Sequence, residues 1–396
     1  MKQLPLTHQI DVFRNYDLSR LDPSNPYFET KSTNFQAAKA AYASGMDHLS
    51  HYPLRATLQT TERCNLKCPM CQIHGSPITR TLQAMSHSTI HEIVRQLFPH
   101  LIEFHPSNIG EPMVHRWFDD LCRQAKTYGV MMDLTTNGTL LNQERIDLIL
   151  PILLDIKFSW DGAKPETFEA IRKGADYRQV LANLDLILKM RNDVNPKATI
   201  TLQMTVMRSN FQELLDLIQF AAARGIDRVK AYHIFSHRPE MDAESMAVDQ
   251  ELFEPIRQSA LAFADECGIA LEISEPLMSE GTPPDLIQQA CRLLWTECWI
   301  DVDGSIFPCH SHQNLSYGKI QHEPFLQSWN AAPFLSLRQA QICGSPRGIC
   351  KGCGMNYLKK DENQPVPIDR NNYLSGPKQD VDMRWSSRSK QFEIPR

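Results

Sequence analysis

Three closely spaced cysteines lie in the stretch Thr60-Thr61-Glu62-Arg63-Cys64-Asn65-Leu66-Lys67-Cys68-Pro69-Met70-Cys71. Their spacing, C-x3-C-x2-C, offers three thiolates from one short loop, which is enough for three irons of a cubic [4Fe–4S] cluster. The fourth iron would have no protein ligand and would be open to a chelating molecule. A zinc site or three buried thiols are the alternatives, but structural zinc usually takes four ligands in separated C-x2-C pairs. The loop therefore predicts an iron–sulfur cluster with one open iron.

The chain around this loop alternates short apolar, β-branched runs with amphipathic stretches from about residue 53, which is typical of repeated βα units. The predicted strands are Arg55–Thr60, Leu101–His105, Val130–Thr135, Leu154–Trp160, Ala198–Met207, Arg228–Phe235 and Ala270–Ser274. The predicted helices lie at about 86–99, 114–128, 142–150, 178–192, 210–224 and 247–266. Right-handed crossovers would wrap six such units into an α/β partial (β/α)6 barrel, which the seventh run either closes or leaves. The cysteine loop follows the first strand, at the edge where such barrels carry their active sites.

The chain of 396 residues is longer than a usual single domain, and it divides into four predicted segments. Residues 1–52 contain a helical stretch near Phe35–Ala43, and we interpret them as an extension packed on the barrel. They are shorter than a peptide-binding domain of ordinary size. Residues 53–275 form the predicted barrel, residues 276–358 a small cysteine-rich domain, and residues 359–396 a polar C-terminal tail.

The composition is that of an ordinary globular protein, with 42% hydrophobic and 22% charged residues and a net charge of −5. Because there is no basic excess, we expect small molecules or peptides as partners and neither nucleic acid nor a membrane. No apolar run has the length of a membrane span, and the opening Met1-Lys2-Gln3-Leu4-Pro5 lacks the apolar core of a signal peptide. We therefore expect a cytoplasmic protein.

Six of the eleven cysteines lie between residues 291 and 353, and only Cys122 and Cys267 stand apart from the two groups. A reducing compartment does not favour disulfides, so this many thiols indicates metal binding. Cys122 and Cys267 are interpreted as small core residues of helices. The C-terminal pattern is Cys291-x6-Cys298-x10-Cys309 and then Cys343-x6-Cys350-x2-Cys353. Four cysteines ending in C-x2-C also describe a zinc ribbon, so zinc remains an alternative here.

The first cysteine loop resembles the cluster loop of radical S-adenosylmethionine (SAM) enzymes. In that family SAM binds the open iron, and an electron from the cluster cleaves it to a 5′-deoxyadenosyl radical that abstracts hydrogen from a substrate C–H bond. Three later stretches are similar to the family's Gly-Gly-Glu-Pro, Thr-Asn-Gly and S-x-D-G…R motifs. They are Asn108-Ile109-Gly110-Glu111-Pro112, Thr135-Thr136-Asn137-Gly138, and Ser159-Trp160-Asp161-Gly162 followed by Arg172. Ile109 departs from the first motif, where the family has glycine.

The resemblance implies a set of residues that bind SAM. Gly110 and Glu111 would hold its amino group, and Arg172 would pair with its carboxylate, to which a guanidinium is well suited. The other predicted contacts are Asn137, Ser159, Asp161 and Gln203. Turns at the Gly110 and Asn137 motifs and a solvated helix charge at Arg172 are the alternative interpretations.

The C-terminal segment resembles the SPASM or twitch extensions of radical SAM enzymes, which carry auxiliary [4Fe–4S] clusters. The stretches that carry this resemblance are Asp303-Gly304-Ser305-Ile306-Phe307-Pro308-Cys309, Gly318-Lys319-Ile320, Ser328-Trp329 and Leu337-Arg338. No cysteine follows Cys353, which favours the twitch form with one auxiliary cluster. A β-hairpin around Asp303-Gly304 and a C-x2-C turn can bring two pairs of cysteines together. The predicted ligands are Cys291, Cys309, Cys350 and Cys353, and the spare thiols Cys298 and Cys343 could replace one of them or serve as hydrogen donor.

The resemblance implies a radical SAM oxidoreductase or isomerase that dehydrogenates or epimerises a small polar metabolite in a biosynthetic pathway. One alternative is a maturase that modifies a ribosomally synthesised peptide, and another is a cluster-binding protein without turnover. An electron donor such as flavodoxin or ferredoxin is an implied partner. Beyond the SAM and cluster contacts no catalytic residue is assigned. His105 and His233 lie near carboxyl ends of predicted strands, but a lone histidine is more often structural.

Overall fold

The structure, a computed structural model, describes residues 13, 16–75, 82–234, 236, 239–246, 249–273, 286–288, 290–312, 317–351, 353 and 357–359. Within these residues the strands are β1 (Arg55–Leu58), β2 (Glu103–His105), β3 (Met131–Thr136), β4 (Leu153–Ser159), β5 (Thr199–Val206), β6 (Arg228–His233), β7 (Ala270–Ile273), β8 (Leu286–Gln288), β9 (Glu297–Ile300), β10 (Ile306–Phe307) and β11 (Tyr357–Lys359).

The helices in the same part of the chain are α1 (Phe28–Ala43), α2 (Gln72–Gly75), α3 (His87–Leu97), α4 (Phe118–Tyr128), α5 (Gln143–Ile149), α6 (Pro165–Ile171), α7 (Tyr177–Val194), α8 (Leu214–Arg224), α9 (Pro239–Asp242), α10 (Gln250–Cys267), α11 (Leu293–Thr296), α12 (Phe325–Trp329) and α13 (Ala332–Ile342). Short 3-10 turns lie at Leu18–Arg20, Pro112–Val114, Leu150–Ile152, Phe211–Glu213, His310–His312 and Gly348–Cys350. None of these described helices combines the length and apolar character needed to cross a membrane.

The main sheet has the strand order β10-β9-β1-β2-β3-β4-β5-β6-β7. Strands β1 to β7 are parallel neighbours in chain order, and helices connect them, as repeated βα units require. The predicted seventh run stays in the sheet as β7, which pairs with β6. The predicted α/β fold is therefore confirmed.

The cysteine-rich segment extends this sheet beyond its first strand. Strand β9 pairs in parallel with β1, with Glu297 opposite Arg55 and Ile300 opposite Leu58. Strand β10 then returns antiparallel to β9. Gly304 turns the hairpin with φ +83°, a conformation that favours glycine. The predicted hairpin around Asp303-Gly304 is thus confirmed, and it is joined directly to the barrel sheet.

The N-terminal extension contacts both the barrel and the cysteine-rich segment. Lys31 Nζ donates 2.6 Å to the carbonyl of Phe98, at the end of α3. On the other side, Tyr42 Oη donates 2.8 Å to the carbonyl of Ala290, and the indole of Trp295 donates 2.7 Å to the carbonyl of Met46. The extension therefore ties the two cysteine-bearing parts together. The predicted boundaries at residues 52, 275 and 358 remain predictions, and the predicted tail lies outside the described residues after Lys359.

The two faces of the parallel sheet differ in chemistry. One face packs against the helices through fully buried apolar side chains such as Phe104, Ile156, Phe158, Leu202 and Val229. The side chains between them in each strand point the other way, since successive residues of a strand alternate in direction. That second face is polar, and it leads to the loops at the carboxyl ends of the strands.

Candidate functional site

The three-cysteine loop leaves the carboxyl end of β1. The backbone N–H of Leu66 points to Cys64 Sγ at 3.4 Å, and the N–H of Cys71 donates 3.1 Å to the carbonyl of Cys68. Burial raises the pKa of the Cys64 thiol to about 11, and burial also raises that of Cys68. Burial thus disfavours the thiolate form of both residues, whereas a coordinated metal ion deprotonates its thiol ligands. Three such sulfurs in one loop fit iron coordination.

The loop with Gly110 lies directly on the cysteine loop. Gly110 has φ +82°, and a Cβ at this position would lie 2.7 Å from the carbonyl oxygens of both Thr61 and Arg63. The next N–H, that of Glu111, donates 2.9 Å to the same carbonyl of Arg63. Only glycine allows this approach, which explains the one motif glycine that the chain retains.

The departure at Ile109 also has a structural explanation. The Gln59 side chain holds the backbone of Ile109 from both sides, because Gln59 Nε2 donates 2.8 Å to its carbonyl and Gln59 Oε1 accepts its N–H at 2.9 Å. These contacts involve only the backbone of Ile109. A residue with a side chain therefore serves at this position.

Glu111 is a buried carboxylate that organises the next motif. Its oxygens accept hydrogen bonds from Thr136 Oγ1 at 2.9 Å, from the Asn137 N–H at 2.7 Å and from the Met113 N–H at 3.3 Å. Burial raises the pKa of Glu111 to about 7, although these three donors act in the opposite direction. The carboxylate thus joins the motif of Gly110 and Glu111 to the motif of Asn137, and its contact with SAM stays a prediction.

Asn137 connects the Thr-Asn-Gly motif to the cysteine loop. Its Nδ2 lies 3.0 Å from Asn65 Oδ1 and 3.8 Å from Cys64 Sγ. Its Oδ1 accepts the N–H of Thr139 at 3.0 Å, as expected of an Asn-Gly turn. One side chain thus forms the turn and contacts the cysteine loop, and its contact with SAM stays a prediction.

Arg172 is held beside the cluster loop by Asp161. The distance from Arg172 Nε to Asp161 Oδ2 is 2.5 Å, and Arg172 Nη1 lies 3.9 Å from Cys68 Sγ. Burial alone would lower the pKa of Arg172, but Asp161 and Cys68 raise it above its ordinary value. The Arg172 side chain is only 13% exposed. The alternative of a solvated helix charge is therefore wrong for Arg172.

Ser159 ends β4, and its register partner Gln203 lies beside it within β5. The N–H of Trp160 donates 2.8 Å to the carbonyl of Gln203, which continues the strand pairing past Ser159. By strand alternation both side chains belong to the polar face. The structure therefore brings these two predicted SAM contacts together at the edge that carries the cysteine loop.

The polar face carries a network of charges that the sequence analysis missed. Arg55 lies 2.5 Å from Glu103 and 2.7 Å from Asp133, and Lys157 bridges Asp133 and Asp155. The network continues through the pairs Arg228–Asp155, Arg228–Glu272 and Lys230–Glu272, at 2.5, 3.0 and 2.6 Å. Its signal was present in β4, where Asp155, Lys157 and Ser159 alternate with apolar residues.

The two candidate histidines lie in different environments. His105 Nδ1 is 3.5 Å from Asp133 Oδ2, so this ring belongs to the polar face. His233 instead packs against Phe253 of α10 with ring centroids 4.8 Å apart, and burial lowers its pKa to about 4. His105 remains a candidate substrate residue, whereas His233 fits the structural alternative.

The four predicted auxiliary ligands line one cavity. Cys291 precedes α11, Cys309 follows β10, and Cys350 and Cys353 follow α13. The other lining residues are Leu293, Leu294, Ser311, His312 and Ile349. Burial raises the pKa of the Cys309 thiol to about 12 and that of Cys350 to about 11. Soft sulfur donors within largely apolar walls fit an iron–sulfur cluster.

The spare thiols lie elsewhere. Cys298 is fully buried on β9, opposite Ala56 of β1, and Cys343 is exposed directly after α13. Cys122 is buried in α4 and Cys267 partly buried in α10, in agreement with the prediction that they are small core residues. His312, in contrast, was not singled out from the sequence, and it lines the cavity with the four cysteines.

Two family models match the chain, and together they cover more than half of it. One describes the radical SAM superfamily and matches residues 58–221. The other describes the SPASM iron–sulfur cluster-binding domain and matches residues 291–354. The chain belongs to the radical SAM superfamily. Its radical SAM core binds a [4Fe–4S] cluster together with SAM, and its SPASM segment indicates auxiliary iron–sulfur binding.

Several curated relatives match the chain over most of its length. The AdoMet-dependent heme synthase of Methanosarcina barkeri is 24% identical, over 76% of this chain and 90% of that protein. The PqqA peptide cyclase of Gluconobacter oxydans is 22% identical, over 72% and 78%. The antilisterial bacteriocin subtilosin biosynthesis protein AlbA of Bacillus subtilis is 24% identical, over 78% and 68%. The chain spans only 52% and 39% of the lengths of two other curated relatives, each of which is 27% identical to it.

A solved structure shows the same fold. Streptococcus suis SuiB bound to precursor peptide SuiA has a TM-score of 0.57 at 17% identity, and the similarity covers 85% of this chain and 78% of SuiB. At this identity the likeness concerns the fold alone. The radical SAM barrel with its C-terminal extension is thus shared with SuiB, while residue roles in this chain rest on its own geometry.

Proposed function

We propose that this protein is a radical SAM maturase that modifies a ribosomally synthesised peptide. Dehydrogenation or epimerisation of a small metabolite was the first expectation from the sequence, and the comparisons favour the peptide alternative. The observation that carries the proposal is the large share of the chain that two peptide-related relatives match. PqqA peptide cyclase and the subtilosin biosynthesis protein each match more than 70% of the chain, so the likeness extends beyond the barrel.

The polar face of the sheet is suited to a polar substrate, and a peptide is one such substrate. A peptide that leaves water needs partners for its backbone N–H and C=O groups, because each unpaired group costs free energy. His105, Ser159 and Gln203 provide donors and acceptors at the carboxyl edge, and the Arg55 and Lys157 network lies behind them. Small polar metabolites would find partners here too, so this face favours polar substrates in general and peptides among them.

The chain's own residues have separable tasks in this proposal. Cys64, Cys68 and Cys71 hold the catalytic cluster, which when bound and reduced supplies the electron that cleaves SAM. Asp161 orients Arg172 beside Cys68, where the guanidinium can receive the carboxylate of SAM. Burial of both groups excludes water from this contact, which strengthens the electrostatic attraction.

The expected reaction is an oxidation of the peptide. Transfer of one hydrogen atom to the 5′-deoxyadenosyl radical, followed by transfer of one electron to the auxiliary cluster and of one proton to solvent, would leave the peptide two hydrogens lighter with a new bond or double bond. The test is to incubate reconstituted protein anaerobically with SAM, a strong reductant and each short peptide that genes next to its own encode, and to measure peptide mass. The Cys64→Ala/Cys68→Ala/Cys71→Ala variant is the control, and it should leave the peptide unchanged.

The second candidate is oxidation of a small molecule, and one comparison favours it. The heme synthase match spans 76% of this chain and 90% of that protein. The same assay discriminates the two when each candidate substrate is deuterated. Deuterium that enters 5′-deoxyadenosine from the peptide supports the maturase, whereas deuterium that enters only from a small molecule contradicts it.

A further inference from the structure

The auxiliary cavity contains one imidazole beside its four cysteines. His312 Nε2 lies 3.3 Å from the sulfur of Cys350, which is one of the predicted ligands. The backbone N–H of His312 donates 3.2 Å to the carbonyl of Cys309, another predicted ligand. The short turn that follows Cys309 therefore directs an imidazole at the sulfur of Cys350.

A tyrosine holds this imidazole from its other side. Tyr317 Oη lies 3.1 Å from His312 Nδ1. The Tyr317 ring is 5% exposed and packs against Phe334 with centroids 4.8 Å apart. Its backbone N–H donates 3.0 Å to the carbonyl of Ile306 in β10, which fixes the residue to the sheet. The hydroxyl is therefore well placed to orient the ring.

These contacts decide which nitrogen carries the hydrogen. A thiolate bound to iron has no hydrogen and can only accept a hydrogen bond. His312 Nε2 must therefore carry the hydrogen that faces Cys350. In the neutral ring His312 Nδ1 is then an acceptor, and it accepts the O–H of Tyr317. One assignment thus satisfies all three groups.

We propose that Tyr317 and His312 form a relay that donates a hydrogen bond to the Cys350 thiolate and raises the reduction potential of the auxiliary cluster. Reduction adds negative charge to the cluster, and a hydrogen bond to a ligand sulfur stabilises that charge. Both residues are positioning residues rather than ligands. The inference rests on Cys350 as a ligand and applies to a peptide or a small-molecule substrate alike.

The test is carried out in the Cys64→Ala/Cys68→Ala/Cys71→Ala background, so that the auxiliary cluster is the one observed. Its midpoint potential is measured by anaerobic redox titration with EPR. His312→Phe removes the donor, and we expect reduction to become about tenfold less favourable, a shift of about 59 mV to more negative potential for one electron. Tyr317→Phe should shift it in the same direction by less. His312→Gln keeps an N–H donor, so its midpoint potential should stay closer to that of the parent protein.

A matched control is His310→Phe. His310 belongs to the same turn but is exposed and lies outside the lining of the cavity. We expect its substitution to leave the potential unchanged. An unchanged potential in His312→Phe with iron retained would overturn the relay. So would loss of iron in His312→Phe together with retention in Cys350→Ala, because His312 would then be a ligand.

A measurement on unsubstituted residues avoids any effect of the variants on folding. In the same background, protein labelled with ¹⁵N-histidine is examined by ENDOR on the reduced cluster. The relay predicts a weak nitrogen coupling and an exchangeable proton that is lost in deuterated buffer. A strong nitrogen coupling would show direct ligation, and no histidine coupling would show that the ring is remote. Either result contradicts the proposal.

Discussion

Arg172 and Asp161 form an ion pair in which Nε lies 2.5 Å from Oδ2, directly beside the cysteine loop. The side chain of Asp161 has no exposed surface, and its Oδ1 accepts the N–H of Thr205 at 2.7 Å. The guanidinium also reaches Cys68 Sγ at 3.9 Å. One buried pair thus connects the loop after β4, the strand β5 and the cluster loop.

Removal of one partner from this pair should destabilise the folded protein strongly. Arg172→Ala leaves Asp161 buried without its cation, which should destabilise the protein by about 3–5 kcal/mol. The Asp161→Asn/Arg172→Gln double variant removes both charges and should recover much of that stability without recovering SAM binding. Denaturant unfolding and the SAM-induced change in the cluster EPR signal measure the two effects. Full SAM binding in either variant would exclude Arg172 as the carboxylate partner.

Substitution of Gly110 should disturb the catalytic cluster selectively. In Gly110→Ala the new methyl group would meet two carbonyls of the cysteine loop at 2.7 Å, so that loop must move. We expect iron content to fall from about eight per chain toward about four, with the auxiliary cluster retained. Gly225→Ala is the control, because Gly225 has φ +66° with nothing within 4 Å. Gly225→Ala should lower the free energy of unfolding by about 1–2 kcal/mol, because of the left-handed backbone alone, and it should keep all the iron.

Glu111 should make the stability of the iron-free protein depend on pH. Burial raises its pKa in the folded state from 4.5 to about 7, so the folded state binds this proton more tightly than the unfolded state. The contribution of Glu111 to the free energy of unfolding should therefore be largest below pH 4.5. It should fall by about 3 kcal/mol as the pH rises to about 7. Glu111→Gln cannot titrate. The difference between the two unfolding curves over this window isolates the contribution, and parallel curves would contradict it.

Iron analysis can check the predicted auxiliary ligands, which line one cavity. In the background without the first three cysteines, Cys350→Ala should lose or weaken the remaining cluster of about four irons. Cys343→Ala should keep it, because Cys343 is exposed and lies outside the cavity. Iron and sulfide analysis after anaerobic reconstitution provides the measurement. Equal loss of iron in both variants would mean that the ligands are not the four cysteines that line the cavity.

Local patterns predicted much of the fold and the sites. The strand at Arg55 ends at Leu58 instead of the predicted Thr60, because the N–H of Thr60 turns back to the carbonyl of Leu58 at 2.9 Å instead of continuing the ladder. The spacing of Cys350 and Cys353 predicted their place in one cavity, since a tight C-x2-C turn keeps its sulfurs close.

Several other long-range contacts could not be predicted from the sequence. Nothing local to Cys298 indicates that it lies opposite Ala56, since strand register between distant segments depends on the assembled sheet. His312 was missed for the same reason, because its partners Cys350 and Tyr317 are defined by the folded extension. The charges at Asp155 and Lys157 could have been found, because their alternation with apolar residues marks one face of a strand.

The pairing of β9 with β1 also sets an order of events during protein synthesis. Strand β1 is among the first strands to leave the ribosome, whereas its neighbour Glu297–Ile300 emerges only after all seven parallel strands have been made. Until then one edge of β1 has unpaired backbone groups, and such an edge invites association with other chains. Completion of the sheet, and with it a settled position for the cysteine loop that follows β1, therefore belongs to the last stage of translation. A nascent chain stopped before residue 297 would carry its cluster motif on an open strand.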